Sequence, residues 1–339
     1  MVAGSGAERY EIMRTTALLS VMLLVAAIAF AQTSSPTPPP PQNQASPQNG
    51  NPPASGNSPT QAPGTPAPAG GHRMLQAKSQ DEMKAYQDAT TKTDAAQAEA
   101  AANDFATKFP DSELRAALYM RAMNMYAQAN SSEKVIDMGR KAIAADPTNP
   151  VPLMEVASTL AETTRDTDLD REQRLQEAAK DAHAAIDNVD TGLLVPANAD
   201  PQRVAGAKRT ILTNSYDTLA MVDMSRNDYG AAVGNLQKAI EQSKDNPEAV
   251  LYLRLSVAQD KLGQYQPALD SANKAVQLAK DGTPAQNLAK QQQERLQKLI
   301  AGQGQAPGSA LPGAASPTPG SPGNPPPLPG QSTTPSAPR

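Results

Sequence analysis

The sequence contains no cysteine and no tryptophan, and it has two histidines in 339 residues. Disulfides, thiol catalysis and cysteine-ligated metal sites are therefore excluded. His72 and His183 do not supply the parts of a Ser-His-Asp triad or of a metal site with several histidines. The sequence also lacks a phosphate-binding glycine loop and a dinucleotide-binding motif. We therefore expect a protein that is not an enzyme and that carries no cofactor or metal.

Charged residues are missing from two long segments. Residues 32–71 hold 12 of the 32 prolines and residues 303–338 hold 11, and neither segment contains Lys, Arg, Asp or Glu. Such segments have almost nothing to bury and cannot offset the entropy cost of ordering. We expect residues 32–73 to form a disordered Pro-rich linker and residues 303–339 a disordered Pro/Gly-rich tail. Residues 74–302 remain for a folded domain.

The central segment has no excess of positive charge. Residues 74–302 carry 26 basic and 32 acidic residues, a net charge of −6. A mildly acidic domain with scattered charges offers no electrostatic footprint for nucleic acid or anionic lipid. A protein or peptide is the expected partner, and nucleic acid is not.

The beginning of the sequence predicts export. Arg9 and Arg14 precede an apolar run, residues 15–31, that closes on the Ala-Phe-Ala pattern of a signal-peptidase site. Residues 1–31 are thus predicted to be a signal peptide of an exported, periplasmic or secreted bacterial protein. The alternative is an uncleaved anchor that holds the domain on the inner membrane, outside the cytoplasm, because roughly 17 apolar residues lie at the lower limit for a membrane span. Met13 is an alternative start.

The apolar residues of the central segment recur with the period of a helix. Examples are the sets Leu118, Ala122, Met125 and Leu251, Leu255, Ala258. Spacings of three and four residues place such side chains on one face of an α-helix. No segment alternates with period two for long enough to predict a strand. The domain is predicted to be all-α.

Two segments of the domain repeat each other. Residues 216–242 (YDTLAMVDMSRNDYGAAVGNLQKAIEQ) superpose without a gap on residues 252–278 (YLRLSVAQDKLGQYQPALDSANKAVQL) at an offset of 36. The superposition aligns Tyr216 with Tyr252, and it also aligns a leucine, a second tyrosine and two alanines. Further upstream, RKAIAADPTNP at 140–150 is similar to QKAIEQSKDNP at 237–247. A fixed period of this length indicates a repeat architecture.

These motifs resemble the tetratricopeptide repeat, a helix-turn-helix unit with a large aromatic residue, a Leu-small pair, a small residue in the second helix and a closing proline. The resemblance implies an α-solenoid of four to five such repeats, flanked by the disordered arms. A helix pair is expected at about 74–108 and a polar capping helix at 283–302, with Thr283 as N-cap and Gly302 as stop. Alanine positions spaced by 43, 54 and 36 residues place insertions near 161–172 and 190–212.

One inserted segment has a partial calcium-loop pattern. Asp166, Asp168, Asp170 and Glu177 occupy positions 1, 3, 5 and 12 of such a loop, but Arg171 stands where the loop needs glycine. The simpler interpretation is a turn in which Asp170 caps the following helix and Gln173 completes a capping box.

The family resemblance also implies that ligands lie on the concave face formed by the first helix of each repeat. The positions that map to this face are Met120, Asn124, Met154, Ser158, Asn214, Asp217, Met221 and Met224, with Arg254 at the edge. A groove lined by methionines is adaptable and suits a peptide bound without strict sequence demands. The alternative is that the methionines pack between helices.

The function predicted from the sequence is a non-catalytic protein-protein interaction module of the cell envelope that binds a partner segment in this groove. The alternative is a structural protein that organises the envelope through contacts made by the Pro-rich arms.

Overall fold

The computed structural model describes residues 75–195 and 199–304. The predictions for the signal segment and for most of both Pro-rich arms lie outside these residues. The described chain forms eleven helices and no strand, so the all-α prediction is confirmed. The helices are α1 (Gln80–Thr90), α2 (Ala95–Lys108), α3 (Leu114–Gln128), α4 (Ser132–Ala145), α5 (Pro150–Thr163), α6 (Arg171–Asn188), α7 (Pro201–Ser225), α8 (Tyr229–Gln242), α9 (Ala249–Lys261), α10 (Tyr265–Leu278) and α11 (Pro284–Gly304).

The helices pack in chain order. The most extensive contacts join α3 to α4, α5 to α6, α7 to α8 and α9 to α10, and each of these pairs then contacts the next through its second helix. In such an array each unit is stabilised by its neighbours, which is the defining property of a solenoid. The pair α1 and α2 precedes the array, and α11 packs on both helices of the last pair. The α-solenoid predicted from the repeat pattern is thus observed.

Short turns with one left-handed residue connect several of the helices. Asn130 (φ 54°), Asn227 (φ 62°) and Gly263 (φ 73°) occupy this position between α3 and α4, α7 and α8, and α9 and α10. Asparagine and glycine tolerate the left-handed region best. The same turn geometry therefore recurs in three helix pairs, at the spacings that the sequence repeat gives.

The two predicted insertions differ in structure. Residues 164–170 form a loop between α5 and α6, whereas in the longer insertion only residues 190–195 and 199–200, among those described, lie outside helices. From Pro201 the chain is already helical, because Asp200 accepts a hydrogen bond from the Gln202 amide and proline suits the first helical position. The insertion predicted near 190–212 therefore includes helix as well as loop, because its second half lengthens α7 to 25 residues.

Two predicted helix ends are also corrected. Asp170 is the N-cap residue of α6, but its side chain makes no capping hydrogen bond, so the predicted capping box with Gln173 is not formed. The helix α11 passes through Gly302 and continues to Gly304. Its predicted start agrees better, since Thr283 Oγ1 accepts a hydrogen bond of 3.3 Å from the Gln286 amide.

The core is a row of apolar clusters between neighbouring helices. Small residues dominate where second helices pack, and Ala142, Ala182, Ala239 and Ala275 are fully buried. Side chains of this size let helices approach closely. None of the helices in the two described ranges combines the length and the apolar character that crossing a membrane requires.

Candidate binding face on the first helices

One side of the solenoid is formed by the first helices of the pairs. The helices α1 and α3, α5 and α7, and α9 and the capping helix α11 contact each other directly, whereas the backbones of α3 and α5 and of α7 and α9 share at most marginal contacts. The second helices α4 and α6 meet through side chains, since Arg140 bonds to Glu177 and Ile136 lies in one cluster with Leu175. We call the surface of α3, α5, α7 and α9 on this side the inner face.

The residues predicted for the groove divide into two groups. Four are partly exposed and can be reached by a partner: Met120, Asn124, Ser158 and Asn214. Five are buried: Met154, Asp217, Met221, Met224 and Arg254. The reachable part of the predicted groove is therefore mostly polar.

The buried methionines pack between helices. Met154 is 1% exposed and lies in a cluster with residues of α6 and α7. Met221 packs in a cluster with Val156 and Leu160 of α5, and Met224 belongs to the cluster between α7, α8 and α9. These three methionines therefore pack between helices, as the alternative interpretation predicts. Of the predicted methionines, Met120 alone remains accessible to a partner. Its Sδ lies 3.4 Å from Asn149 Nδ2.

A polar contact joins two of the predicted residues. Asn214 Nδ2 of α7 lies 3.6 Å from Met154 Sδ of α5. Because sulfur is a weak acceptor, the amide of Asn214 is held only lightly. Asn214 is thus a partly exposed amide at the junction of two first helices, where it can exchange this contact for one with a ligand.

A buried ion pair connects α7 to α9. Asp217 Oδ2 accepts a hydrogen bond from Arg254 Nη1, and the two residues are 7% and 2% exposed. The second carboxylate oxygen of Asp217 has no hydrogen-bond partner in the described part of the chain. Buried ion pairs add little net stability because desolvation opposes the attraction. The sequence placed both residues on the inner face but did not predict their pairing.

The same stretch of α7 buries further polar groups. Ser215 and Thr218 are fully buried, and no partner for Ser215 Oγ or Thr218 Oγ1 exists among the described residues. Buried polar groups are hydrogen-bonded in the large majority of cases. Such a concentration of unsatisfied groups marks this part of α7 as unfavourable for stability alone.

Burial disfavours the ionised form of two glutamates near this stretch. Burial raises the pKa of Glu155 on α5 above its ordinary value. Burial also raises the pKa of Glu248, just before α9, and the negative charge of Asp217 adds to this while Arg254 opposes it. Neither glutamate was predicted as a site residue, although Glu155 stands alone in the apolar run PVPLMEVA, which is a readable signal.

The charges on the central first helices have one sign. The helix α5 contains Glu155 and Glu162 but no basic residue, and residues 213–225 of α7 contain Asp217 and Asp223 but no basic residue. The basic residues of α7 all lie in its N-terminal extension, before residue 210. Arg254 pairs with Asp217, and Asp223 accepts a hydrogen bond from Asn235 of α8.

The calcium alternative has no support in the loop geometry. Asp166 pairs with Arg171, Asp168 Oδ2 accepts from the Arg165 amide at 2.8 Å, and Glu177 pairs with Arg140. Throughout residues 75–195 and 199–304, no three or more His, Asp or Glu side chains converge as a metal ion requires. Three of the four acidic residues of the pattern, Asp166, Asp168 and Glu177, are thus engaged with neighbouring cations or an amide.

Comparison with known proteins adds little to the geometry. No protein-family model matches the chain, and no curated protein matches it. Among solved structures, the chain is similar to an assembly chaperone of RpL4 (Acl4, residues 1–338), with 11% sequence identity and a TM-score of 0.32. The match covers 66% of this chain and 99% of that chain. A similarity at this level carries no functional argument, so the function has to be inferred from the inner face itself.

Proposed function

We propose that this protein is a non-catalytic interaction module whose inner face binds a segment of a partner protein. The supporting observation is the set of reachable polar side chains on α3, α5 and α7 above the incompletely satisfied cluster around Asp217. Groups that reduce stability without a partner are candidates for a function. A solenoid holds such groups at fixed spacing along an extended surface.

The reachable side chains of the inner face indicate the kind of contact that a partner segment makes. Asn124, Ser158 and Asn214 supply hydrogen-bond groups for the backbone or polar side chains of an extended peptide. Met120 supplies an apolar contact that adapts to different side chains.

A peptide-display selection tests this function. The full chain is exposed to a random peptide library beside a variant with Asn124→Arg and Ser158→Arg, which adds bulk and positive charge at two reachable positions. The matched control carries Ala231→Arg and Gln237→Arg on the exposed side of α8. We expect enriched peptides that bind the wild type and the control at least tenfold more tightly than the inner-face variant. A library without enrichment, or equal binding to all three proteins, would contradict the proposal.

Binding by the inner face can be distinguished from binding by the Pro-rich arms. A chain without residues 32–73 and 303–339 keeps the inner face intact. We expect it to bind the selected peptides with unchanged affinity. Peptides that lose binding on deletion of the arms but tolerate the inner-face variant would favour the alternative in which the arms make the contacts.

We also propose that the protein acts in the bacterial cell envelope. The supporting observation is the run at 15–31 with its Ala-Phe-Ala end, which lies outside the described residues. N-terminal sequencing of the protein isolated from cell fractions tests this location. A chain that begins at Gln32 in a periplasmic or secreted fraction supports export with cleavage. A chain that keeps residues 15–31 in the membrane fraction supports the anchored form, and an intact chain in the cytoplasm contradicts export.

A further inference from the structure

A cavity of about 530 Å³ lies on the opposite side of the solenoid, between the second helices α4 and α6. Both helices pack on α5, which leaves a cleft between them on the outer side. Eight residues line the cavity, three from α4 and five from α6: Arg140, Ile143, Ala144, Gln173, Gln176, Glu177, Lys180 and Asp181. We call this space the outer cavity. It shares no residue with the inner face.

Asp181 is the unusual member of this lining. The residue is 5% exposed, and its carboxyl group makes no hydrogen bond or ion pair in the described chain. Burial raises its pKa from 3.8 to about 6, with a smaller contribution from Glu177. At neutral pH the group is therefore mostly ionised, although the residue is largely buried and its carboxyl group lacks a direct partner.

The basic groups nearby do not neutralise Asp181 directly. Arg140 and Lys180 lower the pKa of Asp181 through their charges. However, the guanidinium of Arg140 donates a bidentate pair of hydrogen bonds, of 2.7 and 2.6 Å, to the Glu177 carboxylate. Lys180 is exposed to solvent. The carboxylate thus keeps its hydrogen-bonding capacity toward the cavity.

The other walls suit a ligand with an aliphatic stem. Ile143 and Ala144 of α4 provide apolar surface, and Gln173 and Gln176 of α6 provide amide groups at the rim. A lysine side chain combines an aliphatic stem, which packs on apolar surface, with an ammonium group that has three donors. This combination matches a carboxylate next to an apolar wall.

We propose that the outer cavity is a second binding site, and that it takes the side chain of a lysine from a partner protein. The ammonium group donates to the Asp181 carboxylate, and the stem lies against Ile143 and Ala144. The site is independent of the inner face, so that the solenoid carries two separate binding surfaces.

A titration of the full chain by NMR tests this site. The probe is Nα-acetyl-lysine methylamide, and the control probe is Nα-acetyl-norleucine methylamide, which has the stem without the ammonium. We expect the lysine probe alone to give saturable shifts at the amides of residues 140–144 and 173–181, with a dissociation constant on the order of millimolar. The shifts are expected to vanish at pH 5, where Asp181 is mostly protonated.

Two variants decide the result. Asp181→Asn keeps the shape of the side chain and removes its charge, and we expect it to abolish the saturable shifts. The inner-face variant with Asn124→Arg and Ser158→Arg is expected to bind the lysine probe like the wild type. Equal shifts with the norleucine probe, or shifts that persist in Asp181→Asn, would overturn the proposal. Tighter binding of Nα-acetyl-arginine methylamide would overturn the assignment to lysine.

Discussion

The helices α7 and α8, which form one pair, bury different kinds of side chain. In α8 the buried residues are Ala232, Leu236 and Ala239. The second half of α7 buries Thr213, Ser215, Asp217 and Thr218 beside apolar residues. The helix α8 thus contributes small and apolar contacts that favour close packing, whereas α7 also encloses polar and charged groups. The contrast separates a helix that serves packing alone from one that carries an additional polar cluster.

The largest expected effect comes from breaking the buried ion pair. Arg254→Met leaves the Asp217 carboxylate buried without its counter-charge, which typically costs about 3–5 kcal/mol of the free energy of unfolding. Urea denaturation measures this change. The double variant with Asp217→Asn removes the stranded charge and is expected to recover most of the loss. A single variant as stable as the wild type would show that the pair contributes nothing to folding.

The packing of the second helices can be tested with two glycines. A Cβ atom added at Gly139 of α4 would lie 2.2 Å from Val156 Cγ2 of α5, whereas nothing lies within 4 Å of one added at Gly234 of α8. We expect Gly139→Ala to lower the free energy of unfolding by about 1–3 kcal/mol through overpacking. Gly234→Ala is expected to raise it by up to about 1 kcal/mol, since alanine is the better helix former. Thermal unfolding of the two variants shows whether each change raises or lowers the free energy of unfolding. Equal effects of the two substitutions would contradict the close approach of α4 and α5.

The charge of Asp181 on α6 makes the free energy of unfolding depend on pH. Its pKa in the folded chain, about 6, is higher than the ordinary value of 3.8, so the folded state binds the proton more tightly than the unfolded state. The free energy of unfolding therefore falls as the pH rises from about 4 through 6 and Asp181 loses its proton in the folded state. We expect Asp181→Asn to be more stable than the wild type by about 1–2 kcal/mol at pH 7.5 and by little at pH 4. Unfolding curves at both values test this, and a pH-independent difference would assign the effect to packing.

The smallest expected effect compares the helix starts of two equivalent repeats. Asp228 caps α8 by accepting a hydrogen bond from the Ala231 amide, whereas the equivalent Gln264 makes no side-chain cap for α10. We expect Asp228→Ala to cost about 1 kcal/mol and Gln264→Ala to cost almost nothing. Conversely, Gln264→Asp is expected to stabilise α10 by a similar amount. Thermal denaturation of the three variants provides the comparison, and a large loss in Gln264→Ala would contradict it.

The repeat pattern predicted most of the fold because it fixes spacings. The offset of 36 residues aligned Tyr216 with Tyr252, and it also placed Asn227 and Gly263 at the same left-handed turn position. The start of α7 was missed, although Asp200 followed by Pro201 is an N-cap signal that could have been read. The family spacing had assigned this segment to an insertion, and that assignment hid the local signal.

The candidate site was harder to predict, for a physical reason. Helical periodicity gives the direction of a side chain from its own axis but not what the neighbouring helix covers. Met154 and Ser158 lie one turn apart on α5, yet Met154 is buried and Ser158 is partly exposed. The pairing of Asp217 with Arg254 depends on how α7 meets α9, and the burial of Asp181 depends on the cleft beside α4. Neither contact has a signature in the spacing of residues along the chain.

The arrangement of helix contacts has a consequence for unfolding. Each pair from α3 to α10 contacts the next pair through its second helix, and α11 packs on both helices of the last pair. In an array whose units touch only their neighbours, the free energy of unfolding is approximately a sum of terms for the units and for the interfaces between them. The loss of one interface therefore weakens the two pairs beside it and leaves the distant pairs folded.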